Sequence, residues 1–298
     1  MKVCVLLSSY NGEKYIEEQL ESIVAQEDVE VDILVRDDGS TDRTCGILDR
    51  WQERGQLRWY KERNLGFALS FIDLVLHAPE SDYYAFCDQD DIWLPDKLKR
   101  AACKLEEIDN PVKLYCSNVY YYKDGQTFGA IHTAIPYYDK YTCLLRNIAP
   151  GCSMVFSKEL KNLIVSAPPR EIIAHDFWIF QLAVLMGEVV YDFEPSMLYR
   201  QHENNQIGQK TSRKDIWMRR LKNLCSVSHR HDREEQAKEL LSCHSSDFTE
   251  EVNVVVTMIA DYRHSVRNKA RLLFDNIYSM GTLKADLYLK LRILLSML

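Results

Sequence analysis

The sequence contains no apolar run of about 18 residues, so no membrane-spanning helix is expected. Its opening, MKVCVLLSSYNGEKY, turns polar too early for a signal peptide, and the expectation is a cytoplasmic protein. The nine cysteines form no Cys-x-x-Cys pair and several sit inside apolar runs. They read as reduced, buried small hydrophobes, which argues against a disulfide framework and a zinc site. No Gly-x-x-x-x-Gly-Lys-Ser/Thr loop and no Gly-x-Gly-x-x-Gly run occurs, so P-loop hydrolases and dinucleotide enzymes are poor candidates. An unbroken basic surface is also missing, and nucleic acid is not an expected partner.

What is present suits one large core with an appendage: 298 residues, 46% of them hydrophobic. The net charge of −7 conceals a split. Residues 1–205 carry 21 basic and 33 acidic side chains, whereas residues 206–298 carry 16 and 11, a balance of +5. Two regions with different partners are implied, 1–205 and 206–298.

Apolar periodicity in the first region alternates strand and helix. Strands are expected at Lys2–Ser9, Val31–Arg36, Leu57–Lys61 and Tyr83–Cys87, and helices at Glu13–Gln26, Thr41–Gly55, Gly66–Ala78 and Pro95–Ile108. This is a βαβ rhythm and predicts an α/β fold with a mainly parallel central sheet. Leu114–Tyr122 reads as one strand, Asp124–Asp139 as an irregular segment, and Ile148–Ser157 as a turn entering a buried strand. A helix over Lys158–Ser166, a second from about Ile172, and strands at Val189–Phe193 and Ser196–Tyr199 complete the region, and beyond it the periodicity is helical.

Ligands of such sheets sit beyond the carboxyl ends of the strands. Three polar clusters fall there: Ser8-Ser9-Tyr10-Asn11, Arg36-Asp37-Asp38-Gly39-Ser40 and Asp88-Gln89-Asp90-Asp91. Short carboxylates one residue apart at a strand end suit Mg²⁺ or Mn²⁺, although the same residues also suit a turn and a helix start. Three such clusters at strand ends favour a nucleotide site with a metal over independent turns.

Six motifs in order carry a resemblance: Ser9-Tyr10-Asn11-Gly12, Asp37-Asp38-Gly39-Ser40-Thr41-Asp42, Asn64-Leu65-Gly66, Asp88-Gln89-Asp90-Asp91-Ile92-Trp93, His175-Asp176-Phe177-Trp178 and Gln201-His202-x-x-Asn205. Residues 1–205 resemble family 2 glycosyltransferases of the GT-A fold, and the motif pair Asp-Gln-Asp-Asp-x-Trp and Gln-His-x-x-Asn is most similar to bacterial rhamnosyltransferases. The resemblance implies an inverting, metal-dependent transfer of a sugar from a nucleotide-diphosphate donor. Its expected donor is dTDP-L-rhamnose, with a UDP-hexose as the alternative, and its expected acceptor is a growing surface polysaccharide or lipid-linked glycan. A non-catalytic sugar-nucleotide-binding scaffold is the weaker reading.

The same resemblance implies the site. Asp176 is the expected general base. Asp90, with Asp88 and His202, is expected to hold Mg²⁺ or Mn²⁺. Ser8, Ser9, Tyr10, Asn11, Asp38, Arg63, Asn64, Asp88, Gln89 and Asp91 are expected at the donor, with Tyr10 stacked on the base and Asp38 accepting from its ring N–H. Gly151, Cys152 and Trp178 are expected near the acceptor. A sugar-1-phosphate nucleotidyltransferase would need a Gly-rich basic loop near the N-terminus, which Ser8–Gly12 does not offer.

The basic amphipathic stretches 210–224 and 283–298 suit either a membrane surface or packing on the catalytic region or a second subunit, and a homodimer is among the expected assemblies.

Overall fold

The computed structural model describes residues 1–202, 231–275, 278 and 283–298. The chain divides into two compact units. The first holds Met1–Pro136, Asn147–Pro168 and Ala174–Glu203. It begins β1 (Lys2–Ser9), α1 (Ile16–Val24), β2 (Glu30–Asp37), α2 (Thr44–Glu53), β3 (Arg58–Lys61), α3 (Gly66–His77) and β4 (Tyr83–Asp88). There follow β5 (Ile92–Trp93), α4 (Lys97–Glu106), β6 (Lys113–Ser117), β7 (Tyr120–Lys123), β8 (Gln126–Ala130), β9 (Val155–Ser157), α5 (Lys158–Ser166), α6 (His175–Met186), β10 (Glu188–Asp192) and β11 (Met197–Arg200).

Seven strands form the central sheet in the order β10-β6-β9-β4-β1-β2-β3. Only β9 runs antiparallel to its neighbours, so the sheet is mainly parallel as its sequence rhythm predicts. Val3 to Leu7 of β1 are wholly buried, which is why this strand reads as one continuous apolar run. Helices amphipathic in sequence cover the sheet: α1 buries Ile16, Leu20 and Ile23, and α4 buries Leu98, Ala101 and Leu105. Ser157 caps α5 by accepting from the Leu160 N–H.

A second sheet, β5-β11-β7-β8, is absent from the sequence reading. The expected single strand Leu114–Tyr122 is two strands, one in each sheet. Asn118 makes the break: its amide donates to the carbonyls of His132 and Phe193, while its oxygen accepts from the Val119 and His132 N–H groups. The expected irregular segment also contains β8. Asp124 and Gly125 both have positive φ, 49° and 82°, and turn β7 back onto β8. An Asp-Gly pair is a legible hairpin signal, and its conformation matches the twist of the strands it joins.

The second unit holds Tyr137–Arg146, Pro169–Ile173 and Asn204–Leu298. Its described helices are α7 (Asp232–His244), α8 (Glu250–Ala260), α9 (Val266–Phe274) and α10 (Leu283–Leu294). The two earlier segments join it through polar bonds: Ile173 N–H donates to Gln236 Oε1 at 2.8 Å and Arg233 Nε to the Leu145 carbonyl at 2.8 Å. The stretch 210–224 and Asn205 lie outside the described residues. Among the described residues no helix is long and apolar enough to cross a membrane, and every described cysteine is free.

Candidate active site

Parallel pairing brings the three polar clusters into one row. Ser8 of β1 is level with Arg36 of β2 and with Asp88 of β4. The loops that leave these strands are then tied together by side chains. Gln89 clasps Tyr10 twice, accepting from its N–H at 2.9 Å and donating to its carbonyl at 3.1 Å. Asn11, at φ 49°, accepts from the Thr41 N–H at 2.9 Å. Tyr10 itself stays half exposed, its ring free to meet a flat ligand.

Asp38 has a more confined place than expected. Its carboxylate is almost wholly buried, paired with the Arg36 guanidinium and accepting from the Leu65 and Gly66 N–H groups at 2.8 and 3.0 Å. Arg36 also bonds Asp73 at 2.9 Å and the Arg63 carbonyl at 3.0 Å. This buried pair therefore holds the loop that carries the exposed Arg63 and Asn64. Ser8 shares a 2.5 Å hydrogen bond with Ser70 of α3.

The acidic run separates into two environments. Asp90 Oδ2 lies 2.6 Å from His202 Nε2, both side chains partly exposed. His202 also stacks on Tyr15 with ring centroids 5.4 Å apart. Arg200, which sequence reasoning missed, secures this corner by donating from Nε to the Asp90 carbonyl at 2.8 Å and pairing with Glu18 at 2.6 Å. Behind it, ligand atoms of Asp88, Asp91 and Cys152 lie within 4.8 Å of one another. Burial pushes the Asp88 carboxyl up to about 7, reinforced by the charges of Asp90 and Asp176. Burial likewise holds Asp91 well above the carboxylate range and the Cys152 thiol well above its own, which leaves Cys152 unsuited to act as a nucleophile.

Lys97 is the second residue that sequence reasoning missed. It is wholly buried at the start of α4, with Nζ donating to the Cys152 carbonyl at 3.0 Å and lying 4.7 Å from the centre of the Trp93 ring. Burial lowers its ammonium to about 8, while the negative charge of Asp91 works in the opposite direction. A signal existed: Lys97, Ala101 and Leu105 are spaced by four on the inward face of α4.

Asp176 occupies the first turn of α6 and accepts from the Phe177 N–H at 2.7 Å. Burial raises its carboxyl to about 6, opposed by hydrogen bonds from the Phe177 and Gly151 backbones and from Asn147. It faces the acidic strand end closely enough for its charge to raise Asp88. The neighbouring His175 is buried against Phe71, ring centroids 3.8 Å apart, and burial lowers it to about 3, so it is a neutral packing ring. A Cβ on Gly151 would run into His175 Nε2 and come within 3.2 Å of the Asp176 Cβ. Gly151→Ala is therefore expected to cost about 1–3 kcal/mol of stability, as overpacking does, and to displace Asp176. Urea unfolding measured together with kcat checks both effects.

Three expected site residues sit apart from the crevice. Trp178 is wholly buried within α6 and cannot border an acceptor. Ser9 is buried and donates to Asp37 at 3.2 Å, a bond inside the loop. Asp91 is wholly buried and accepts the Arg200 N–H at 3.0 Å, so it fastens β11 to the strand end. In each case the side chain is turned into the interior.

A family model described as glycosyl transferase family 2 matches residues 4–160. The chain belongs to that family. Among curated relatives of this glycosyltransferase, the dTDP-rhamnosyl transferase RfbG of Shigella flexneri is 34% identical over 230 residues, covering 72% of this chain and 77% of that protein. Among solved structures, S. aureus TarS 1-349 in complex with UDP-GlcNAc aligns with a TM-score of 0.57 at 19% identity, covering 100% of this chain and 82% of that 1-349 chain. A Pyrobaculum calidifontis mannosyltransferase, PcManGT, solved with GDP-Man and Mn²⁺, aligns with a TM-score of 0.55 at 15% identity, covering 98% and 86%. At those identities the structural likeness concerns the fold, which for this glycosyltransferase is GT-A.

Proposed function

We propose that this glycosyltransferase is inverting and metal-dependent, and that it moves L-rhamnose from dTDP-L-rhamnose to a growing surface polysaccharide or lipid-linked glycan. The observation that carries the catalytic part is Asp176, a carboxylate raised to about 6 at a helix start, facing the strand end that bears Asp88 and Asp90. The donor assignment rests on the likeness to the Shigella dTDP-rhamnosyl transferase.

The residues at the strand end fit a divalent cation. Asp90 Oδ2 and His202 Nε2 already converge at 2.6 Å, one hard oxygen and one imidazole nitrogen, and Asp88 lies on the same strand end. Mg²⁺ or Mn²⁺ bound there would supply Lewis-acid neutralisation of the leaving diphosphate. Asp91 and Cys152 lie deeper and are wholly buried, which suits a support for this corner.

Asp176 takes the proton of an acceptor hydroxyl as that oxygen attacks the anomeric carbon. The new C–O bond forms on the face opposite the diphosphate, whose own bond to that carbon breaks and carries its electron pair away. One base and one displacement invert the anomeric centre. Tyr10 offers a face to the donor base, and Asn11 and Asn64 are exposed on loops that leave strands of the same sheet.

A panel of nucleotide sugars with Mg²⁺ or Mn²⁺, followed by release of nucleoside diphosphate, tests the reading. With dTDP at about 100 times its Kd, a stabilisation of about 2.7 kcal/mol is expected in thermal melts, lost in Asp90→Ala. Turnover of a UDP-hexose in preference to dTDP-L-rhamnose would replace the donor, and no turnover of any donor would sink the catalytic reading.

A further inference from the structure

Helix α10 presents a row of leucines to solvent. Leu283, Leu287, Leu291 and Leu294 are 76%, 59%, 41% and 58% exposed, whereas Leu289 and Ile293 are 6% and 1% exposed. At about 100° per residue the four exposed leucines fall within one quarter of the helix, and Lys284 and Lys290 fall on its two flanks. Leu289 and Ile293 point the other way, so the helix is docked by its opposite face.

The docking is firm. Lys269 Nζ donates to the Leu294 carbonyl at 3.1 Å and to Ser296 Oγ at 2.9 Å, closing the end of the helix. Arg292 Nε donates to the Met297 carbonyl at 2.8 Å, and the Leu298 N–H donates to Tyr262 Oη at 2.8 Å. Met297 and Leu298 are buried beneath. The leucine row is thus fixed outward by its neighbours.

We propose that α10 is an in-plane anchor for an anionic lipid surface. An apolar stripe with a lysine on each flank lets the leucines enter the acyl boundary while the ammonium groups reach up to the lipid phosphates. The helix itself carries Lys284, Lys290 and Arg292 against the single acid Asp286, a positive balance that matches a negative surface. A second copy of the chain fits this stripe less well. The helix's 12 residues span only about 18 Å, and a helix face about 10 Å wide and of that length offers roughly 180 Å², a small fraction of the roughly 800 Å² per partner that a stable dimer buries. The inference does not depend on the donor or on the base.

The test is sedimentation of the full chain with phosphatidylglycerol-containing vesicles and with pure phosphatidylcholine vesicles, at low and high salt. Binding is expected to the anionic vesicles and to weaken with salt. The double variant Leu287→Glu/Leu291→Glu is expected to weaken it more than about 10²-fold, and Lys284→Glu/Lys290→Glu about 10- to 100-fold. All four positions leave the buried face untouched, so melting temperatures should stay near wild type and the folded state can be confirmed. Undiminished binding in both variants, or equal binding to neutral vesicles, overturns the proposal. A wild-type dimer in light scattering that becomes monomeric in the leucine variant also overturns it, because the stripe then belongs to a second copy.

Discussion

Asp176→Asn is expected to lower kcat by about 10²- to 10⁴-fold, the span that a positioned general base contributes. Asparagine keeps the size of the side chain and an oxygen to accept the Phe177 N–H, but it cannot take a proton. Donor affinity should change little, and a nucleotide-induced thermal shift measured beside the rate separates the two. The pH profile gives an independent readout. Burial raises the Asp176 carboxyl to about 6, and the base works deprotonated. The wild-type kcat/KM should therefore be flat above that value and fall about tenfold per pH unit below it. The acid limb that vanishes in Asp176→Asn belongs to Asp176 and not to Asp88, whose carboxyl is pushed up to about 7. A fully active Asn variant, or an unchanged limb, removes Asp176 as base.

Lys97→Met is expected to lower stability by about 1–3 kcal/mol at neutral pH, the cost of leaving the buried Cys152 carbonyl without its donor. Methionine fills a similar volume, so packing is kept and the loss is that of the hydrogen bond. Its pH dependence follows from Lys97 itself. Burial lowers its ammonium from 10.5 to about 8, so the folded state gives up a proton there that the unfolded chain keeps. The wild type therefore gains stability as pH rises from about 8 toward 10.5, and the variant does not. The deficit against wild type should thus be larger at about pH 9.5 than at about pH 7. Guanidinium unfolding at the two pH values checks this; a deficit that is equal or larger at the lower pH contradicts it.

The alternation of apolar strand and helix was readable because strands of a parallel sheet are buried on both faces, as β1 is from Val3 to Leu7. The polar clusters at the ends of β1, β2 and β4 were readable for the converse reason, since a strand that must leave the core changes composition abruptly. The second sheet was harder to see. Nothing in the Tyr-rich run shows that Asn118 will divide it, because the carbonyls it binds come from His132 and Phe193, far along the chain.

The sequence by itself determined the family, the order of the central sheet's strands and of the helices that cover it, and the strand ends where the polar clusters gather, because periodicity and motif order are local. Only the tertiary structure decided which side chains reach the crevice. Ser9, Asp91 and Trp178 belong to the motifs and point inward, whereas Lys97 belongs to none and is buried against the Cys152 carbonyl. Depth is a property of how distant segments pack, and with it comes the desolvation that moves Asp88, Asp176 and Lys97 away from their ordinary pKa values.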